Sequence, residues 1–532
     1  MIKYFFAILL ISLPLFSQDK ASTVHFDVIY PAGMEKCAYY LISYLEKNYK
    51  IQSEKFKFEI NDPIQVKLSY GNSSNKNNYS RNSIDVKFSG SYIEAGDAAA
   101  FQLSCVLISS MKNDSLLINK SAAYDIPEWI IKGYSLYVSL SDKGIDAAGL
   151  PAAGKKNYSE ILKSPYNETF NYAAVSFFSF LEKKFKGRIS FFFREAYDSG
   201  SVSAAFEKIY GKSEDELVKI WIDTMQNENI VSDEGDEEQN RIYIFSNDSA
   251  VTVSPDGTAA VIADNDGISI RTFSDGAEGK ISTDNFFNQS QILAWHPDSK
   301  AVCRAEIKQD HILVSSIDLK TGGVFQVFYL PFIRISDLKI YAGGKYLFTG
   351  YSSESSGIFL FDVKTGKLNR ITSDYSEKKF PVLADENTVL YFSNKNLFDN
   401  PFSTKYSLFA LDLKLKQGYK IIENINYPSG LTAVNKDKVA VSFKLNGISS
   451  VYSLDLKTSF LKNAIKNGFD PSWISGGMEI CYFKNFLSGK KLFKKTFSAF
   501  IADSSQELLS NDAVNSDSEK ITSPKEVIYS TD

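Results

Sequence analysis

The sequence predicts a multidomain fold, with an α+β domain first and an all-β domain of repeated units after it. The chain of 532 residues is too long for one ordinary hydrophobic core. Helix and strand periodicities are mixed up to about residue 228, whereas only short alternating strands recur beyond residue 241. A run of turn motifs that return every 40 to 51 residues marks the second part as a repeat domain.

The composition is that of a folded protein and argues against one class of partner. Apolar residues make up 44% of the chain and aromatic residues 14%, which is far from a disordered composition. The formal net charge is −4, so the chain offers no basic field that could displace counterions from a polyphosphate. We therefore do not expect nucleic acid as a partner.

Residues 1–18 have the order of a secretory signal peptide: Lys3, an apolar run at 4–16, and the small residue Ser17. Cleavage is expected near Ser17 or Gln18. An uncleaved anchor is the alternative, but about 13 apolar residues are fewer than the roughly 20 that span a bilayer. The sequence therefore predicts an exported protein, periplasmic or extracellular, with no membrane span in its mature form.

The first domain, residues 22–228, begins with strand-like segments and becomes mainly helical from residue 90. Helical periodicity covers 95–111, 127–140, 171–186, 187–200, 201–211 and 213–228. Residues 229–240 lose hydrophobicity and gain acidic residues, which is typical of an interdomain linker.

Two markers recur in phase through residues 241–502. The first is a turn before a strand: "SPDG" at 254, "HPDS" at 296, "AGGK" at 342, "ADEN" at 384, "NKDK" at 435 and "SGGM" at 475. The second is an Asp-x-Lys turn, as in "SIDLKTGG", "LFDVKTGK", "ALDLKLKQG" and "SLDLKTS". Such a period with several short strands is typical of a β-propeller blade, so six units predict six blades; a pair of β-sandwiches is the alternative.

These turns resemble the repeat of TolB-type six-bladed propellers over residues 240–502. Two segments could supply the strand that closes the ring, "RIYIFS" at 241–246 and "KEVIYS" at 525–530, and the sequence does not choose between them. The rest of the tail, 503–532, is rich in Ser, Asp and Glu and is predicted to be flexible.

The segment "DIPEWIIKGYSLYVS" at 125–139 resembles a helix of the peptidase-MA-like, gluzincin group of metallopeptidases, with Pro127, Trp129, Gly133 and Tyr137 in matching positions. The resemblance extends over about 24–228. It implies a zinc site with two His and a catalytic Glu in an HExxH motif on the preceding helix and a Glu ligand on this one.

In this chain the resemblance places other residues in those roles. The HExxH positions read Phe101-Gln102-Leu103-Ser104-Cys105, and Lys132 stands where the third ligand would be. A benzyl group and an ammonium have no free lone pair for zinc, and an amide cannot act as a base at neutral pH. We therefore expect a pseudo-metallopeptidase without catalytic residues, metal or cofactor.

Several alternatives remain open at this degenerate site. Phe101 and Cys105 could simply be core residues. The Lys132 ammonium could fill the volume of the lost zinc and bond to Gln102, or it could be solvated. Cys37 and Cys105 could form a disulfide, although buried thiols fit four scattered cysteines equally well.

The function expected from these features is that of a non-catalytic binding or scaffold protein. Its partner would be a protein, a peptide or a cell-envelope component, bound where blade loops converge. Trp295, His296 and Trp473 precede blade turns and are candidate contacts, although both Trp could instead pack between strands. The rival interpretations are a zinc-dependent peptidase with non-standard ligands and a purely structural envelope component.

Overall fold

The computed structural model describes most of the chain. The described residues are 18–71, 83–119, 124–140, 158–165, 170–228, 241–245, 250–264, 267–282, 292–308, 311–353, 355–395, 401–445, 448–486 and 489–498. Residues 1–17 of the predicted signal peptide, the predicted linker 229–240 and the tail 503–532 lie outside them.

The N-terminal region is an α+β domain with one four-stranded sheet. Its strands follow the order β1 (Gln18–Ser22), β2 (Phe26–Pro31), β3 (Ile64–Tyr70) and β4 (Ser83–Phe88). β1 pairs antiparallel with β2, whereas β2, β3 and β4 run parallel. The helices are α1 (Glu35–Phe56), α2 (Tyr92–Asn119), α3 (Glu128–Leu140), α4 (Tyr158–Leu162), α5 (Phe170–Lys184), α6 (Ile189–Ser199), α7 (Val202–Tyr210) and α8 (Glu214–Glu228).

Hydrophobic patterning explains how this domain is layered. In β3 the side chains of Ile64, Val66 and Leu68 are buried and the residues between them are exposed, as expected of a sheet that faces the core on one side. α2 differs, because its residues 99–108 are buried on all sides of the helix. It is therefore a central helix, with the sheet, α1 and α3 packed around it.

The described strands of the C-terminal region form antiparallel sheets. Three four-stranded sheets are formed by consecutive strands: β6–β9 (Ala250–Val253, Ala259–Asp264, Gly267–Thr272, Glu278–Ser282), β10–β13 (Ile292–Trp295, Ala301–Lys308, His311–Asp318, Val324–Leu330) and β14–β17 (Arg334–Tyr341, Lys345–Tyr351, Ser356–Asp362, Lys367–Arg370). A fourth comprises β25 (Phe469–Ile474), β26 (Glu479–Phe486), β27 (Gly489–Thr496) and β5 (Arg241–Phe245).

The prediction of six separate blades differs from the sheets observed. Between the third and the last sheet lies one seven-stranded sheet, made of β18 (Lys378–Leu383), β19 (Thr388–Ser393), β20 (Lys405–Asp412), β21 (Gln417–Asn435), β22 (Lys438–Leu445), β23 (Ile448–Asp455) and β24 (Phe460–Lys466). β21 is 19 residues long; its first half pairs with β20 and its second half with β22. Because this strand runs on without a break, two repeat units share one hydrogen-bonded sheet.

The sheets close into a propeller-like ring. Buried apolar clusters join each sheet to the next, and Ile474 of β25 packs with Val253 of β6, which links the last sheet to the first. β5 completes the last sheet by pairing with β27, and it lies in "RIYIFS" at 241–246, one of the two segments that the sequence left open. The other segment, 525–530, lies outside the described residues.

A helix that crosses a bilayer needs about 20 predominantly apolar residues. None of the helices in the described part of the chain is both long and apolar enough to do so.

Candidate functional site

The segment 101–105, which the sequence predicts to be a degenerate zinc motif, lies in the middle of α2, where that helix packs against α3. Phe101 and Cys105 are both buried in the core cluster of the N-terminal domain. Gly133 of α3 allows close packing on α5, because a Cβ at this position would lie 2.7 Å from the ring of Phe178. The glycine of the metallopeptidase-like helix therefore has a packing role here that depends only on its lack of a side chain.

Gln102, which the resemblance aligned with a catalytic base, binds the backbone of the neighbouring strand. Its side-chain amide donates to the carbonyl of Asp85 at 2.6 Å, and its Oε1 accepts from the Asp85 N–H at 2.8 Å. These two hydrogen bonds join α2 to the edge of β4. The amide hydrogen bonds of Gln102 therefore go to β4 and not to Lys132, because the edge strand has backbone groups that need partners.

Lys132 and Cys105 are held by residues of α3. The Lys132 ammonium is buried and forms an ion pair with Glu128 one helical turn earlier, with 2.6 Å between Nζ and Oε1. Cys105 Sγ lies 3.3 Å from Ser135 Oγ. Burial raises the pKa of the Cys105 thiol to about 12, so the group is a neutral thiol at physiological pH.

Taken together, these four side chains provide a hydrocarbon ring, a backbone-bound amide, a neutral thiol and a paired ammonium. All four cysteines of the chain are free and buried, including Cys37 and Cys105, for which a disulfide was an alternative. Among the described residues, no group of three His, Cys, Asp or Glu side chains is arranged to hold a metal ion.

A second site, which the sequence did not predict, lies where the first turn of α2 meets the propeller-like region. Its apolar part centres on Phe402, in the loop between β19 and β20. The ring of Phe402 stacks on Tyr44 with 4.4 Å between centroids and meets Tyr92 edge-on at 5.8 Å. Gly96 lies beneath it, and a Cβ there would come within 2.7 Å of Phe402 Cδ1. Ile93 is buried in the core cluster of the seven-stranded sheet.

Charged groups surround this apolar contact. Arg334, at the start of β14, donates from Nη1 to Glu94 Oε1 at 2.6 Å, and its guanidinium lies 4.0 Å from the centroid of the Tyr351 ring. Ser91 Oγ donates to Glu377 Oε2 at 2.9 Å. These bonds connect residues that are 240 and 286 positions apart in the chain. We call this set, formed by Ser91, Glu94, Arg334, Tyr351, Glu377 and Phe402, the domain junction.

A buried ion pair supports the junction from the propeller side. Lys378 at the start of β18 has no exposed surface, and its ammonium contacts the Asp374 carboxylate and the backbone carbonyl of Ser376, the latter at 2.5 Å. Burial lowers the pKa of Lys378 to about 8, partly offset by attraction to Asp374. Burial would raise the pKa of Asp374, but the Lys378 charge and hydrogen bond lower it to about 2.

The repeat turns lie together at the other end of the sheets. The Lys436 ammonium in "NKDK" pairs with Asp385 in "ADEN" at 2.6 Å, and Lys438 donates to the Gly477 carbonyl in "SGGM" at 3.0 Å. Ser475 N in turn donates to the Pro255 carbonyl in "SPDG" at 2.8 Å. We call the surface formed by these turns the turn face.

The Asp-x-Lys turns belong to the same face, and their hydrogen bonds show why an Asp recurs in each unit. In one unit the Asp318 carboxylate accepts hydrogen bonds from the N–H groups of Lys320 and Thr321, at 3.0 and 2.8 Å. Asp362 and Asp412 form the same pairs of bonds in their units. An Asp side chain satisfies the backbone of a tight turn in this way.

The junction and the turn face lie at opposite ends of the sheets. In the pairing of β14 with β15, Arg334 is opposite Tyr351 at one end, and Tyr341 is opposite Lys345 at the other. Arg334 belongs to the junction, whereas Tyr341 leads into the "AGGK" turn. The N-terminal domain therefore contacts the end of these strands that is remote from the turns.

The three candidate contact residues lie at the turn end of their strands, with little exposed surface. Trp295 is buried between sheets and donates from Nε1 to the Thr252 carbonyl at 2.9 Å. Trp473 is buried in the cluster between β22 and β26. His296 is partly buried, its Nε2 lies 2.9 Å from Ser316 Oγ, and burial lowers its pKa. Both indoles therefore pack between sheets instead of facing the turn surface.

Comparisons with known proteins find likeness at the level of structure only. No protein-family model and no curated protein matches the sequence. Similar solved structures include TolB from Acinetobacter baumannii, with a TM-score of 0.35, 15% identity, and 57% of this chain and 70% of that chain covered. A putative TolB from Agrobacterium tumefaciens has a TM-score of 0.35, 13% identity and coverage of 47% and 90%. An oligogalacturonate lyase in complex with manganese has a TM-score of 0.36, 11% identity and coverage of 47% and 77%.

Proposed function

We propose that this chain is an exported, non-catalytic binding or scaffold protein. In this proposal a gluzincin-like domain that has lost its zinc ligands is anchored to a TolB-like six-bladed propeller. The observation that carries the proposal is the state of the degenerate motif. Gln102 bonds to the β4 backbone, and Cys105 is a buried thiol whose pKa is raised by burial, which supports the loss of the base and of the second ligand of a zinc peptidase.

The six-bladed count rests on the repeat turns. Two blades would share the seven-stranded sheet through the continuous strand β21. The contacts from "ADEN" through "NKDK" and "SGGM" to "SPDG" support this count, because they follow the order of the repeats around one face.

The turn face is the surface we propose for the partner, a protein, peptide or cell-envelope component. The N-terminal domain contacts the opposite end of the sheets and leaves this face accessible. Met478, in the "SGGM" turn, exposes two thirds of its side chain there. An exposed thioether on a loop-rich surface is a common contact in protein recognition.

The proposal is tested by metal analysis and by crosslinking. Protein purified without chelator should contain no stoichiometric zinc, and it should not cleave peptides in a reaction that a chelator abolishes. The presence of stoichiometric zinc, or of such cleavage, would favour the rival peptidase. Crosslinking in cell-envelope extract, read by mass spectrometry, should identify a partner that Met478→Glu loses. The matched control is Ile51→Glu on α1, which is similarly exposed but remote from the turns and should keep the partner.

A further inference from the structure

The outer edge of the second sheet differs from the other outer edges of the propeller-like region. β13 is the last strand of its sheet and, within the described part of the chain, pairs only with β12. Its sequence, VFQVFYL, contains no charged residue. The other described outer strands, β5, β9, β17 and β24, each contain Lys or Arg.

This contrast matters because an outer strand presents unpaired backbone donors and acceptors. Proteins usually protect such edges with charged side chains, which disfavour the addition of another strand. β13 lacks this protection and also exposes apolar side chains: Val324 and Phe325 at 57% each, Val327 at 52% and Tyr329 at 64%. Gln326 and Phe328, on the other side of the strand, pack toward Tyr346 in the next sheet.

The size of the apolar surface limits what can bind there. An aromatic side chain presents about 150–250 Å², so these four side chains together expose on the order of 400 Å². A stable dimer needs about 800 Å² from each partner. The apolar side chains thus supply about half of that area, so a second copy would need further surface beyond β13, whereas a single added strand also gains backbone hydrogen bonds along its length.

We propose that β13 is a docking site for an extended, uncharged segment of a partner protein, which adds to the sheet as a fifth strand. The apolar side chains of the segment would alternate to meet Phe325, Val327 and Tyr329. The absence of charge on β13 favours an uncharged segment, because a charged side chain would lose water there without gaining an ion pair. The inference does not depend on the function proposed above, because the outer edge of this sheet is distinct from the turn face.

The test uses the full chain and one defined probe, a fluorescein-labelled peptide of seven alternating threonine and valine residues. Binding is followed by fluorescence anisotropy and located by hydrogen exchange. The probe should bind saturably and slow amide exchange in β13 but not in β17. The combined change Val327→Lys with Tyr329→Lys should weaken binding about tenfold or more. Both side chains are more than half exposed, so the variant should fold.

Two controls test whether binding is confined to β13 and depends on backbone hydrogen bonds. Ile51→Lys introduces a lysine at a similarly exposed apolar position on α1 and should leave probe binding unchanged, as should Met478→Glu. A probe with an N-methyl group on every residue has no backbone donor on either edge of the strand and should not bind.

Four results would overturn the inference. The first is that the labelled peptide shows no saturable binding, and the second is that it binds the double-lysine variant as tightly as the unchanged protein. The third is that sedimentation shows a dimer which the double-lysine change dissociates. The fourth is that, without peptide, the amides of β13 exchange as slowly as those of β12. The third result would assign the edge to a second copy, and the fourth to a segment of this chain that already covers it.

Discussion

Replacing Arg334 by Met tests whether the domain junction depends on the contacts described above. The change removes the hydrogen bond to Glu94 and the contact of the guanidinium with the Tyr351 ring. A hydrogen bond to a charged group contributes about 1.5–3 kcal/mol, and a partly desolvated cation–π contact about 1 kcal/mol. Because Glu94 is one third exposed, the lower part of the first range applies, and the total is about 3 kcal/mol.

Amide hydrogen exchange in the first turn of α2 is the suitable assay, because it reports local opening without assuming that a two-domain chain unfolds in one step. Since 1.4 kcal/mol corresponds to a factor of ten, exchange at residues 92–96 should become about 100-fold faster in Arg334→Met. Exchange in the centre of α2, at residues 101–105, should change much less, because that segment is held by the core of the N-terminal domain.

Arg370→Met is the matched control for this experiment. Arg370 also donates hydrogen bonds, from Nε to the Thr372 carbonyl and from Nη2 to Ser355 Oγ, and forms a cation–π contact with Phe359, but it lies in β17, the outer strand of its sheet. This variant should leave exchange at 92–96 unchanged. If a folded Arg334→Met protein exchanges there at the wild-type rate, the contacts of Arg334 do not hold the domains together and the reasoning is wrong.

Three further results are expected. Gly96→Val should weaken the junction by about 2 kcal/mol, seen in the same exchange assay, because its side chain would overlap the Phe402 ring; Gly418→Val, where a Cβ would make only ordinary van der Waals contacts, controls for the change of residue type. Because the pKa of Asp374 is lowered to about 2, its ion pair with Lys378 stabilises the fold above pH 4. This contribution, about 2 kcal/mol, is lost as the pH falls from about 4 to 2. Asp374→Asn should therefore flatten the dependence of the melting temperature on pH over that range. A thiol reagent at neutral pH should modify Cys105 only after unfolding, because the group is buried and its pKa is about 12, and rapid labelling of the native protein would contradict this.

The periodicity of the sequence was enough to predict the division into an α+β domain and a repeat domain. The helix predicted at 95–111 lies within α2, and the helix predicted at 127–140 begins one residue before α3 and ends with it, because their apolar residues recur at helical spacing and are buried. The repeat turns could be predicted because each Asp accepts hydrogen bonds from N–H groups two and three residues later, so the motif lies within a few consecutive residues. The lack of a zinc-binding lone pair on Phe101 and Lys132 follows from residue type alone, whereas the buried ion pair of Lys132 with Glu128 was neither of the two alternatives that the sequence left open.

The tertiary structure decided the features that depend on residues far apart in the chain. Which of two strands completes the ring, whether two repeat units share a sheet through β21, and whether a tryptophan packs inside or faces solvent all depend on the neighbours that folding provides. The junction of Glu94 with Arg334 could not be inferred, because a hydrogen bond between residues 240 positions apart leaves no periodic signal in the sequence. Local hydrogen bonds and hydrophobic spacing depend on residues that are close in the sequence and can be predicted from it. Long-range contacts depend on how the sheets and helices pack against one another, so they require the tertiary structure.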